Sequence, residues 1–434
     1  MISSLLIANR GEIALRVIRT ARRLEHIEPF YVMECAKAAD VIARSPACDP
    51  ALGGEPMIYL NIGEPDFTAP ALVRQAAAAC LESGATQYTH ATGLAALQQR
   101  IADWYRTRFG LDIAPQRIVV TAGASAALQL VCLALFEPGD EVLMPDPSYP
   151  CNRHFVAAVG ATARLLPTTA HTRFQPDAES VAAAWGPATR GVLLASPGNP
   201  TGTSIAPGAM ADIVTAVRER GGVTIVDEIY LGLSFDSRFG HSAVALGDDV
   251  ISVNSFSKYF SMTGWRLGWV VLPPALVGAV EKLAQNLYIC PSSLAQHAAL
   301  ACFEPASLAE YESRRVEFRR RRDVVVPALQ SIGFEVPVVP DGAFYVWADC
   351  SRFLAAARGG AGPATSWEFC FDMMQRAHVA LTPGRDFGPA MADRFVRLSF
   401  ANSLPDLQAA VSRLERELCG PRNQPAAPHS HPAA

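Results

Sequence analysis

Between residues 117 and 255 short apolar, β-branched runs recur: R-I-V-V-T, E-V-L-M-P, R-G-V-L-L-A-S, V-T-I-V and V-I-S-V-N. Helical stretches lie between them, A-S-A-A-L-Q-L-V-C-L-A-L-F being the plainest. Runs that are apolar throughout, rather than alternating, suit strands buried on both faces. The pattern therefore predicts an α/β fold, a mainly parallel sheet with helices on both faces. Ligands of such sheets bind beyond the carboxyl ends of the strands. The residues just after each run are the ones to inspect.

The remainder of the chain frames this region. P-F-Y-V-M-E-C-A-K-A-A-D-V-I-A-R-S reads as a helix and M-I-Y-L-N-I as a short strand. G-L-A-A-L-Q-Q-R-I-A-D-W-Y reads as an amphipathic helix with Leu94, Leu97, Ile101 and Trp104 on one face. From about residue 305 a long charged helix carries E-S-R-R-V-E-F-R-R-R-R-D, whose interleaved charges predict a solvated face. Two apolar strands come next, in G-A-F-Y-V-W-A and R-F-V-R-L-S-F, and predict a second, smaller α/β domain. The expected division is an arm with part of the small domain at 27–70, a large domain at 71–304 and a small domain at 305–419. The closing segment 420–434 is expected to be disordered.

Half of the 434 residues are hydrophobic, enough for a large core. A net charge of −4 gives no electrostatic case for nucleic acid. The best apolar run, 126–136, is too short for a bilayer and reads as a buried helix, so no membrane is expected. The ten cysteines form no C-x-x-C pair and no zinc-spaced cluster. They read as reduced core residues of a cytoplasmic protein, and no metal site is expected. His429 and His431 could ligate a metal, but they fall in the closing segment.

Residues 1–24 look foreign to the rest of the chain. A short apolar strand, a turn at Asn9-Arg10-Gly11 and an Arg-rich amphipathic helix are expected. The stretch could pass for a mitochondrial presequence, but its charges make it a poor secretory signal. L-I-A-N-R-G-E-I-A-L-R resembles the opening of biotin carboxylases. That resemblance is expected to end near Leu24, and nothing later supplies the ATP-grasp parts of a carboxylase. Segment 1–26 is read as an extraneous start, fused or misassigned, without carboxylase function.

Each strand end carries a motif. After V-V-T, Ala122-Gly123-Ala124-Ser125 opens a helix whose free N–H groups and dipole suit a phosphate, though tight turns use the same residues. S-P-G-N-P-T-G-T offers the Asn199 amide from a loop fixed by prolines, and an ordinary Pro/Gly turn would look alike. D-E-I-Y places Asp227 and Tyr230 at the sheet edge, where a buried acid is costly unless paired. S-F-S-K-Y-F-S-M-T-G-W-R brings Lys258, where most lysines would be solvated. Pyridoxal phosphate uses all of these at once: a Schiff-base lysine, an acid for its ring nitrogen, donors to its phenolate oxygen and a phosphate cradle.

N-P-T-G, D-E-I-Y, S-F-S-K-Y-F-S-M-T-G-W-R and R-L-S-F occur in that order. Over about residues 27–418 the chain resembles the class I/II aminotransferases of fold type I, close to the aspartate aminotransferase-like branch. The resemblance implies a seven-stranded sheet, pyridoxal 5'-phosphate, a homodimer and ping-pong transfer of an amino group from an amino acid to a 2-oxo acid. It implies that Lys258 forms the Schiff base and shuttles the proton, and that Asp227 pairs with the ring nitrogen. Asn199 and Tyr230 would hold the phenolate oxygen and Tyr149 would stack on the ring. Gly123, Ala124, Ser125, Ser255 and Arg266 would take the phosphate, with Tyr88 reaching the partner subunit's phosphate. Arg397 would take the substrate α-carboxylate, with Gly63 and Asn199 beside it.

Burial and cationic Arg266 should both depress the pKa of Lys258. Aspartate-specific members of the branch carry a lysine where this chain has Ser125. Leu60, Phe67, Phe344 and Tyr345 are therefore expected to line a more apolar pocket, for alanine, branched or aromatic donors. Rival readings are a C–S lyase on the same fold, a ligand-sensing regulator and a biotin carboxylase relative. The regulator is disfavoured because only about 26 residues precede the enzyme-like region, too few for a small DNA-binding domain.

Overall fold

The computed structural model describes residues 11–15, 27–360 and 362–420. The strand expected at the N-terminus, most of the Arg-rich helix and the closing segment with His429 and His431 lie outside the described residues.

Twelve strands are formed among the described residues. In chain order they are β1 (Ile58–Tyr59), β2 (Ile118–Thr121), β3 (Glu141–Asp146), β4 (Thr162–Pro167), β5 (Thr189–Ala195) and β6 (Val223–Asp227). Then come β7 (Ile251–Ser255), β8 (Gly268–Val271), β9 (Tyr345–Asp349), β10 (Val379–Ala380), β11 (Thr382–Pro383) and β12 (Phe395–Ser399). Seven of them make one sheet in the order β2-β8-β7-β6-β5-β3-β4. From β4 to β7 every pairing is parallel, and β8 alone runs against both of its neighbours.

The five apolar runs form β2, β3, β5, β6 and β7. They are apolar throughout because both faces are covered. On β5, Leu193 packs into the core with Leu128 and Val131 of the helix Ala124–Leu135. Its neighbours Val192 and Leu194 face the opposite core, with Ile213 and Val214 of the helix Pro207–Arg218. β4 and β8 have no counterpart among the apolar runs. β4 is an edge strand whose residues are mostly part-exposed, so T-A-R-L-L-P has no continuous apolar run. β8 is only four residues long and comes directly after the Lys258 motif.

A second layer is built from β9, β11 and β12, antiparallel in the order β11-β12-β9. β1 pairs with β10 in parallel, Ile58 beside Val379, and so ties the N-terminal segment to the C-terminal region. The charged helix spans Pro305–Ile332. Its charges are not all solvated: Arg321 is only 4% exposed. Its fork donates to both carboxylate oxygens of Asp66 at 2.8 and 2.9 Å and to the carbonyl of Ala401 at 2.7 Å. A guanidinium can be buried there because a carboxylate matches its geometry. All ten cysteines are free, and seven of them are buried. Among the described residues no helix is long and apolar enough to cross a membrane.

Candidate active site

A cavity of about 460 Å³ opens at the carboxyl ends of β2, β5, β6 and β7. It is lined by Lys258, Asp227, Tyr230, Asn199, Tyr149, Ser255, Ala124, Ser125, Arg266, Gly63 and Arg397. Every expected site residue is thus in its wall except Gly123, which lies behind Arg266, and Tyr88. Tyr88 stands apart from the cavity with 79% of its surface exposed.

Lys258 is positioned by the aromatics of its own motif. Phe256, Tyr259 and Phe260 enter an aromatic core with Trp104 and Trp269. The loop is drawn tight by Ser257 N–H donating to Ser255 Oγ at 3.0 Å and Met262 N–H to the Phe256 carbonyl at 2.9 Å. With those rings anchored, Lys258 faces the cavity, and its Nζ donates to the Gly63 carbonyl at 2.6 Å. Burial pulls its amine down to about 8, against the charge of Glu64 and helped by Arg397 and then Arg266. The sequence motifs point to Arg266 alone; the contribution of Arg397 comes from the docking of β12.

Asp227 ends β6 and is 5% exposed. One carboxylate oxygen accepts the Ile229 N–H at 3.1 Å. Burial pushes its carboxyl up to about 6, opposed by that hydrogen bond and by the charge of Lys258. Behind it Glu228 accepts from Ser242 Oγ (2.8 Å), Ala243 N–H (2.6 Å) and Ser252 Oγ (2.6 Å), and burial pushes it up to about 7. Glu228 is not among the residues the sequence singles out. Its only signal is a second acid after a buried strand.

Arg397 lies at 3% exposure on β12. It donates to Asn199 Oδ1 (3.0 Å), the Asn61 carbonyl (2.6 Å) and Thr382 Oγ1 (3.3 Å). No carboxylate pairs with it among the described residues, and its buried Nε has no hydrogen-bond partner. The guanidinium rests over the Tyr345 ring at 4.5 Å. Tyr345 in turn shares a 2.7 Å hydroxyl–hydroxyl bond with Tyr230. A Cβ at Gly63 would lie 2.0 Å from the Tyr345 hydroxyl, so only glycine lets the two segments meet.

At the other end, Gly123 precedes the helix Ala124–Leu135 with φ 88° and no side-chain cap. A Cβ there would fall 2.6 Å from Nη2 of Arg266. The uncapped helix start and the guanidinium together make a site for an anion.

Of the four side chains expected to make the pocket apolar, only Tyr345 lines it. Leu60 is buried in the core, Phe67 packs on Phe318, and Phe344 sits behind Tyr230 and Tyr345. The apolar wall comes instead from Phe30, Val32, Met33, Ala36 and Ile62. The first four are missed because nothing local in P-F-Y-V-M-E-C-A marks where its helix will dock. The Asp386 carboxylate decides that, accepting the N–H groups of Tyr31 and Val32 at 3.1 Å each.

The family model of aminotransferase class I and II matches residues 55–414. A biotin carboxylase N-terminal domain model matches residues 1–65, well past Leu24. Valine–pyruvate aminotransferase of Mycobacterium tuberculosis is 38% identical over 389 residues, 89% of this chain and 96% of that protein. The crystal structure of an aminotransferase from Mycobacterium tuberculosis has a TM-score of 0.84 at 38% identity, covering 90% of this chain and 97% of that one. Aspartate aminotransferase from Thermus thermophilus with maleate has a TM-score of 0.82 at 30% identity, covering 91% and 98%.

Proposed function

The chain belongs to the class I and II aminotransferases and is itself an aminotransferase, and from that premise we propose that it works by a ping-pong cycle on pyridoxal 5'-phosphate, as a homodimer. The donor set fits this cofactor. A part-buried amine (Lys258) and a buried carboxyl (Asp227) line one cavity, whose far end is an uncapped helix start beside Arg266. When bound, pyridoxal phosphate supplies an aldehyde for the amine and a ring that withdraws electrons from the substrate Cα.

The protein supplies the rest. Arg266 and the first N–H groups of the helix Ala124–Leu135, with Ser125 and Ser255, hold the phosphate. Asp227 keeps a proton on the ring nitrogen. Asn199 has its Oδ1 engaged by Arg397, which leaves its amide N–H to donate to the phenolate oxygen beside Tyr230. Tyr149, backed edge-on by Phe30 at 6.1 Å, would pack on the ring. Arg397 takes the α-carboxylate by its fork and so orients the Cα–H bond toward Lys258. Lys258, brought down to about 8, would take that proton at Nζ and hand it to the cofactor carbon that bore the aldehyde, so that the amine stays with the cofactor. Tyr88, exposed and away from this cavity, would reach the phosphate of a second copy.

The observation that carries this reading is that buried Arg397 shares the cavity with the Lys258 amine and is in no ion pair among the described residues. A buried cation without a counter-charge is costly, and an incoming carboxylate removes that cost. The test is visible absorbance. Protein loaded with pyridoxal phosphate should be yellow, bleach on adding an amino acid donor and recover on adding a 2-oxo acid. A band that no amino acid can bleach would overturn amino transfer on this cofactor.

A further inference from the structure

Resting on that placement of cofactor and α-carboxylate, we propose that the amino donor carries an uncharged, apolar side chain, seated against Val32, Met33, Ala36 and Ile62. The charges in the cavity point first to this. Its cations are Lys258, Arg266 and Arg397, and each already has a partner in the reaction. Among the described residues of one copy, a second carboxylate on the donor would find no cation of its own and would share the cavity with Glu64 and Asp227. Ser125, at the helix start, offers a hydroxyl and no charge.

The wall points the same way. Met33 and Ile62 are large apolar side chains, yet 52% and 39% of their surface is exposed. Both line the cavity, so apolar atoms of a donor would cover surface that water now meets. The wall is also a fixed structure. Asp386 caps the helix Tyr31–Ala43 at its first turn, and Arg385 lies across the rings of Tyr31 and Trp367 at 4.3 and 4.9 Å. The loop carrying Ile62, Gly63 and Glu64 is held through Asp66 by buried Arg321. A basic donor is the other arrangement to weigh, since Glu64 is an acid in the wall. The charge of Glu64, however, already acts on the Lys258 amine in the same wall, whose charged form it favours.

The experiment measures kcat/KM of the pyridoxal phosphate-loaded enzyme for leucine, valine, alanine, phenylalanine, aspartate, glutamate, lysine and arginine, alongside bleaching of the yellow band. The best apolar donor should exceed every charged one by at least about 30-fold, the cost of leaving a charge unpaired in the cavity. Met33→Ala and Ile62→Ala should lower kcat/KM for leucine about tenfold more than for alanine, as lost contact with the longer side chain requires. Preference for an acidic or basic donor, with normal bleaching, would overturn this inference and leave the aminotransferase mechanism standing. Equal losses for leucine and alanine in both variants would also overturn it, because the wall would then not touch the side chain. Failure of every amino acid to bleach the band would instead strike the mechanism itself.

Discussion

The two ends of the cavity are built in opposite ways. At the end proposed for the cofactor, Asp227 and Ser255 are the last residues of neighbouring strands, and Ala124 opens the helix after a third. Lys258 comes three residues after Ser255, held by a loop whose backbone hydrogen bonds stay within a dozen residues, while the Lys258 Nζ reaches out to the Gly63 carbonyl. At the substrate end nothing is local. Asp386 reaches back 355 residues to cap the helix that carries Val32 and Met33. Arg321 holds Asp66 across 255 residues, and Arg397 meets the Asn61 carbonyl across 336. One end is thus a property of a single sheet. The other is a property of how the N-terminal arm docks, and it can be altered without disturbing the sheet.

Breaking the cofactor end should cost most. Lys258→Ala should reduce turnover by about 10³-fold or more, since both nucleophile and proton carrier are lost. Circular dichroism should show an intact fold, because the neighbouring aromatics anchor the loop without the amine. Asp227→Asn should lower kcat about 100-fold. Asparagine still accepts from the Ile229 N–H, and burial disfavours the charged carboxyl, so Tm should hold or rise. A fall in both would mean that Asp227 serves structure instead.

Smaller effects should separate the substrate end. Arg397→Lys should lower kcat/KM about 10- to 100-fold, losing the two-pronged grip that a single ammonium cannot copy. Its yellow band should remain, as read by absorbance. Asp386→Ala should cost about 1–2 kcal/mol in urea unfolding, the usual loss for a helix-start acceptor. It should also raise KM for the donor several-fold while cofactor affinity stays put. If affinity for pyridoxal phosphate falls equally, the two ends are not separate. The smallest effect is a matter of pH. Only the neutral Lys258 amine can capture the aldehyde, so uptake by apoprotein should quicken with rising pH and level off above about 8. A plateau reached only near 10 would place the amine in water.

The contrast also sorts what is legible in the chain. Lys258, Asp227 and Asn199 are placed in the cavity wall as expected because strand, turn and candidate residue come close together in the chain, and the turn aims the side chain. β4 is not legible, since an edge strand needs only one apolar face. Arg321 reads as a surface charge because its counter-charge sits in another segment. Leu60, Phe67 and Phe344 fall to the pocket on hydrophobicity alone, which cannot tell a cavity wall from the core behind it.

The sheet, and the cavity end proposed for the cofactor, are readable from the chain alone, through runs of apolar residues and the motifs at their ends. Those depend on short-range forces: backbone hydrogen bonding, side-chain alternation and turn geometry. The opposite end takes the folded molecule to define: which residues face the cavity, that Tyr345 lies between Tyr230 and Arg397, and that Met33 and Ile62 form the wall. These depend on contacts between segments hundreds of residues apart, whose docking is set by the summed packing of the whole molecule and by buried charges such as Asp386 and Arg321.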